Sequence, residues 1–198
     1  MLQQVGVKSV ETQLLYNAIL SILCFVAAIF GARLSDSVGR RPMLLVASAL
    51  FVVQWTIITA LTSVYGNDTN TNSAGSGAAI AFICLFAITY SVCFTPLTIL
   101  YAVECLPFET RAKGMGIFTL SANIAGFFNM FAIPIILDRV TWKAYFLYIA
   151  WDAIQFLFIY FVFVETKGHS LEEINEIFEA PYPKKKSLEK PPPIEERA

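Results

Sequence analysis

Charged side chains are scarce in this chain, and those present recur as acids and bases at short fixed spacing. Three segments show it: Asp36-Ser37-Val38-Gly39-Arg40-Arg41-Pro42, Glu104-Cys105-Leu106-Pro107 running on to Arg111-Ala112-Lys113-Gly114, and Glu165-Thr166-Lys167-Gly168. Such groups form ion pairs rather than making bonds. An exposed pair contributes about 0.2–1 kcal/mol. Several pairs together therefore bias a conformational equilibrium, in which about 1.4 kcal/mol is tenfold, without freezing it. Gly39 suits a tight turn. Pro42 suits the first turn of a following helix, whose N-terminal dipole favours a nearby anion such as Asp36. A second set is polar within apolar surroundings: Asn17 and Ser21, Thr95 and Thr98 flanking Pro96, Asn123, and Asn129. These groups can bond a ligand in a cavity or bond helix to helix. Asp152 is the one acid deep inside an apolar run. Burying a carboxylate there costs about 2.5–3.5 kcal/mol on insertion scales, so it must face the bundle or water, where it can carry a proton. His169, the single histidine, is expected at the surface. No His, Cys or carboxylate spacing reads as a metal set, and no nucleophile–base constellation or phosphate loop appears, so neither a cofactor nor enzymatic activity is expected.

The elements that must position these groups follow from composition. Hydrophobic residues make up 57% of the 198 residues and charged residues 15%, against about 45–50% and about 25% in soluble domains. A soluble domain of this length cannot bury so much apolar surface. The net charge of −1 offers no footprint for nucleic acid. Cys24, Cys84 and Cys93 lie inside apolar runs and Cys105 at the end of one, which is no disulfide framework. A hydrocarbon core of about 30 Å needs about 20 apolar residues of helix. Residues 14–34, 42–62, 78–103, 114–137 and 144–164 meet that length, which predicts an all-α membrane protein with five transmembrane helices. Residues 1–13 are polar and are expected to be an outer loop rather than a signal peptide.

Basic residues set the orientation. Arg33, Arg40, Arg41, Arg111, Lys113, Lys167, Lys184, Lys185, Lys186, Lys190 and Arg197 fall on one side, and only Lys8, Arg139 and Lys143 on the other. The N-terminus is therefore expected outside and the C-terminus in the cytoplasm. The loop carrying the sequon Asn67-Asp68-Thr69 then faces outward, where Asn67 is a glycosylation acceptor. Residues 165–180 are expected to hold a cytoplasmic amphipathic helix. Ser170 and Glu173 fit a capping box, and Leu171, Ile174, Ile177 and Phe178 share one face. Residues 181–198, rich in proline and lysine, are expected to be a disordered tail.

Taken in order, Asp-x-x-Gly-Arg-Arg, Glu-x-x-Pro-x-x-x-Arg-x-Lys-Gly and Glu-Thr-Lys-Gly resemble the sugar porter family of the major facilitator superfamily. The wording around them is most similar to fungal hexose and lactose-permease-like members. The resemblance implies twelve spans in two six-helix halves with the sugar between them. The five spans here correspond to the last five, so the chain is expected to act as part of a longer transporter, with seven further spans as its partners. It further implies alternating access, with proton coupling as in fungal symporters, at the plasma membrane. A cytoplasmic ion-pair network would draw on Asp36, Arg40, Arg41, Glu104, Arg111 and Glu165. Substrate contacts would come from Asn123, Thr95, Thr98, Asn17 and Asn129, with Asn123 foremost, and proton coupling from Asp152. Two rival readings are a transporter-like sugar sensor and an inactive truncated product. The sequence departs from the family pattern at Ala32, Val164 and Ile99; at the last, an aromatic that would stack on the sugar is missing.

Overall fold

A computed structural model describes residues 10–65, 73–140 and 144–188. Five long helices dominate: α1 (Val10–Val38), α2 (Arg40–Tyr65), α3 (Ser73–Cys105), α4 (Arg111–Val140) and α5 (Tyr145–Val162). All five are long and apolar enough to cross a membrane. The short helices α6 (Leu171–Glu179) and α7 (Pro183–Lys186) follow. The fold is all-α, as expected, and most of the helices run beyond the apolar stretches that announce them. The sequon Asn67 lies outside the described residues.

The breaks between helices have local causes. Gly39 adopts φ 110°, a left-handed conformation that glycine takes at no steric cost, and it separates α1 from α2. Pro107 and the turn closed by Thr110 N–H to the Pro107 carbonyl (3.1 Å) separate α3 from α4. After α5 the chain is extended to Thr166 and turns at Gly168 (φ 80°). These three breaks gather at one end of the bundle, called here the motif end.

In the bundle α3 lies between α1 and α2, and α2 lies between α3 and α5. Two apolar clusters hold the row together. Met43, Leu44, Ala47, Cys93, Leu97 and Ile159 form the one nearer the motif end. Phe51, Trp55, Ile58, Ala144 and Tyr145 form the one towards the opposite end. The α1–α3 contact is a backbone approach. A Cβ on Gly31 would stand 1.9 Å from the Val92 carbonyl oxygen. That carbonyl is four residues before Pro96, whose ring removes the N–H that would have bonded it, so α1 closes on the point where α3 is loosened. Helix α4 differs from the rest: none of its apolar window is buried. It is approached near its ends, by Leu106 at Gly114 and through Ile133 and Ile136 on the far cluster.

Two expectations about the C-terminal region are corrected. Helix α6 begins at Leu171 with its full capping box, Ser170 Oγ accepting from Glu173 N–H and Glu173 from Ser170 N–H. Residues 165–169, ahead of the cap, form a loop. Residues 181–188 are not a disordered stretch: α7 docks beside the motif end, because Ser187 is buried and bonded there. His169 is likewise not a surface residue. Its side chain is 7% exposed, with Nδ1 3.7 Å from the Glu173 carboxylate and Nε2 donating to the Ser187 carbonyl at 3.3 Å.

Candidate functional site

At the motif end, the Gly39 turn starts α2 with its first amides free, since an α-helix leaves its leading N–H groups without internal partners. The Glu165 carboxylate fills that position. Oε1 accepts from Arg40 N–H (3.0 Å) and Oε2 from Arg41 N–H (3.1 Å). Oε1 also accepts the N–H groups of Thr166 and Lys167, both at 3.0 Å. The sequence suggested Asp36 as the anion at this dipole. The structure puts Glu165 there, from 125 positions along the chain, and leaves Asp36 largely exposed, paired with Arg40 at 3.1 Å. Gly39 permits the arrangement twice over, by its backbone and by its missing side chain: a Cβ there would lie 2.9 Å from Glu165 Oε2.

Arg40 is the hub. Its Nη2 meets Glu104 at 3.0 Å and its Nε lies 3.3 Å from both Glu104 oxygens, while Nη1 donates to the Ser35 carbonyl. Thr166 Oγ1 donates to the same Glu104 at 2.6 Å. Arg41 is buried and donates through Nη2 to the Tyr160 carbonyl (3.0 Å), and its Nε has no partner. Lys167 Nζ donates to the Ser37 carbonyl. Of the six expected network residues, five gather here. Arg111 is not brought in; it donates to the Leu106 carbonyl in its own turn (3.2–3.3 Å) and lies over the Phe108 ring. Sequence reasoning missed Thr166 and Tyr101. The Tyr101 hydroxyl donates to the Val164 carbonyl (3.0 Å) and accepts its N–H (3.1 Å), tying α3 to the loop after α5. Both lie inside or beside the motif segments, but a hydroxyl among apolar residues carries no charge to mark it.

Further into the bundle, towards the opposite end, a cavity of about 620 Å³ opens between the helices. Its walls are aromatic. Trp55 stacks on Tyr148 (4.7 Å, 8°), Phe51 meets Phe86 (4.9 Å) and Phe94 (5.3 Å), and Tyr90 stacks on Phe94 (5.7 Å). Polar groups are few: Ser91, Asn129, Asp152 and Gln155, beside the hydroxyls of Tyr90 and Tyr148. Asn129 Oδ1 accepts from Tyr148 at 3.4 Å. Asp152 is 8% exposed and its Oδ2 has no hydrogen-bond partner. This orphaned atom is the most unusual polar feature of the cavity, because buried polar atoms are nearly always bonded.

The other expected contacts scatter. Asn123 is exposed on α4, its amide donating to the Thr119 carbonyl of its own helix (2.8 Å). Thr98 lines a second cavity of about 620 Å³ near the motif end, though its hydroxyl donates to the Phe94 carbonyl (2.6 Å). Thr95 is exposed. Asn17 lines a smaller space of about 330 Å³ between α1 and α3. Tyr90, Tyr148 and Gln155 were not singled out from sequence. Their signal was spacing: Tyr148, Asp152 and Gln155 recur at four and three on α5, one helix face. Among the described residues no group of three or more His, Cys, Asp or Glu is placed to hold a metal ion.

An Arg-rich turn clasped by carboxylates from the end of α3 and from the loop after α5, at one end of five membrane-length helices, accords with the sequence comparison. The family described as "Sugar (and other) transporter" matches residues 1–178. The chain belongs to this family. It is an integral membrane protein, and its relatives are named as transporters rather than enzymes. It is 28% identical over 169 residues to Hexose transporter 2 of Kluyveromyces lactis, 82% of this chain and 30% of that protein. It is 27% identical over 166 residues to Hexose transporter HXT8 of Saccharomyces cerevisiae, 82% of this chain and 29% of that protein. The high-affinity gluconate transporter ght3 of Schizosaccharomyces pombe is 29% identical over 153 residues, 75% of this chain and 27% of that protein. The chain thus spans less than a third of the length of these relatives.

Proposed function

We propose that this chain forms part of a membrane transporter for a sugar or a closely related polyhydroxylated solute. It works by alternating access, with proton coupling through Asp152. The observation that carries the reading is the aromatic cavity with Asn129, Asp152 and Gln155 on its wall. Its volume of about 620 Å³ falls within the roughly 300–1,000 Å³ of small-molecule sites. Aromatic faces suit the C–H faces of a sugar ring, and amides and carboxylates suit its hydroxyls. The relatives named for hexose and gluconate support this solute class. Asn129 is preferred over Asn123 as the amide contact, because it reaches the cavity. Thr98 and Asn17 serve neighbouring stretches of the path.

In this reading the Arg40–Glu104–Glu165 cluster is the latch of one conformation, since it joins the ends of α2, α3 and α5 by contacts that break without unfolding a helix. Arg40 and Glu104 are largely buried, so desolvation offsets much of their attraction, and the sum biases the two states without trapping either. In this reading the motif end and the C-terminus are cytoplasmic, which the excess of basic residues there supports, and the transporter works at the plasma membrane. The working unit contains more helices than these five, and they cover the bare face of α4, with Asn123, and the exposed Thr95 of α3.

The test is Asp152→Asn in the intact transporter, reconstituted in vesicles. Proton-driven accumulation of the solute should fall at least about tenfold, the effect of 1.4 kcal/mol, while solute exchange at equilibrium persists. Undiminished accumulation at equal protein density overturns the coupling role of Asp152. An unchanged Km in Asn129→Ala overturns the placement of the solute in this cavity.

A further inference from the structure

After α6 the chain doubles back, and residues 180–188 form a strap beside the motif end. Nothing apolar in the strap is buried. Ser187, 3% exposed, is its pin. Its Oγ donates to the Lys184 carbonyl (2.9 Å) and accepts Glu165 N–H (3.3 Å). Its carbonyl accepts from His169 Nε2 (3.3 Å). The remaining ties are polar and peripheral: Lys184 Nζ over the Tyr160 ring at 4.2 Å, and Lys186 Nζ 3.7 Å from the Glu176 carboxylate. A segment held this way opens locally, without unfolding the bundle.

We propose that Ser187 is a phosphorylation site, and that its phosphorylation unseats the strap from the loop that carries Glu165. Lys184, Lys185 and Lys186 place three cations immediately before the hydroxyl, a pattern complementary to the acidic substrate groove of a basic-directed protein kinase. In the transfer, Ser187 Oγ bonds to the γ-phosphorus of ATP and the bond to the bridging oxygen breaks. ADP leaves, and the hydroxyl proton passes to the kinase base. The ester carries a charge of about −1.5 to −2 and three acceptor oxygens, and beside a carboxylate such a group disrupts by repulsion. Here it would stand on an atom with almost no exposure, bonded to the backbone of Glu165, whose own carboxylate already accepts four N–H groups. The hydroxyl proton now given to Lys184 would be lost as well. Arg40 is committed to Glu104 and Asp36, and Lys167 to the Ser37 carbonyl. Because Glu165 also holds the first amides of α2, release of the strap loosens one side of the ion cluster. The consequence for transport rests on the function proposed above; the site and the release do not.

The experiment uses the purified full chain in detergent, ATP and the catalytic subunit of a basic-directed protein kinase. Mass spectrometry should find phosphate on Ser187, abolished by Ser187→Ala and incorporated faster in His169→Ala, which frees the Ser187 carbonyl. Hydrogen exchange at the amides of Glu165 and of residues 185–188 should then be about tenfold faster or more in the phosphorylated chain, the signature of local opening. Absence of phosphate at Ser187 in both the unaltered chain and His169→Ala overturns the site. Phosphate with unchanged exchange overturns the release. Slower exchange also overturns it, and would mean that a cation such as Arg41, with its unpartnered Nε, captures the phosphate instead.

Discussion

Gly39 concentrates more constraint than any other single position at the motif end. Its φ of 110° costs a side-chain-bearing residue about 1–3 kcal/mol. A Cβ would also displace Glu165 Oε2, 2.9 Å away. Gly39→Ala should therefore lower stability by more than the backbone term alone, because the carboxylate holding four amides must move. Glu165→Gln keeps an acceptor but removes the charge at the α2 N-terminus, and should cost less, about 0.5–2 kcal/mol. Thermal unfolding of the purified variants in detergent measures both, and a Gly39→Ala protein as stable as the parent would refute the account. The acids and bases of this cluster were legible from their spacing, because charge is rare in a membrane chain and so stands out. Their pairing was not. Asp36 and Glu165 are equivalent as letters; only the path of the chain after α5 decides which reaches the helix terminus. Arg111 stands apart from the cluster for a similar reason: a carbonyl in its own turn competes with distant carboxylates, and no sequence spacing reveals that.

At the scale of elements, the α1–α3 crossing depends on two residues acting on one carbonyl. Pro96 frees the Val92 oxygen, and Gly31 lets α1 approach it. On propensity alone Gly31→Ala would stabilise α1 by about 1 kcal/mol. Because a Cβ would stand 1.9 Å from the Val92 oxygen, the expected outcome is a net loss of about 1–3 kcal/mol from overpacking. The measurement is the melting temperature, with the fraction of monodisperse protein as a second readout; a rise would show that α1 shifts without cost. The helices themselves were plain in the sequence, since runs of about 20 apolar residues have one structural solution in a bilayer. The capping box at Ser170 was equally plain, because both partners lie within four residues. Helix α7 was not: prolines and lysines read as a tail, and the bond from Glu165 to Ser187 spans 22 positions.

For the whole molecule, the bare length of α4 is the decisive feature. Four helices form a packed row, while α4 joins them near its ends and leaves Phe127, Phe128, Met130 and Phe131 exposed. Lipid can cover such a face, but the exposed Asn123 on the same helix asks for a polar surrounding. We therefore expect these five helices, expressed without further spans in a yeast lacking hexose transport, not to restore saturable uptake. Radiolabelled sugar entry measures it, and restored uptake would show that the row suffices. How the cavity is completed could not be read from the chain: Asn123 was favoured through the family resemblance, whereas Asn129 reaches the cavity through the face it presents, one and two-thirds turns further on.

The stacking of Trp55 on Tyr148 has an optical side. Trp55 and Trp151, two of the three tryptophans in the chain, both border the aromatic cavity. One indole lies flat against a phenol ring at 4.7 Å; the other is largely open to its surroundings. The emission of the two therefore answers to different environments at the same place. The molecule carries its own fluorophores at the wall a solute would touch, so occupancy of that space is readable by light without attaching a dye.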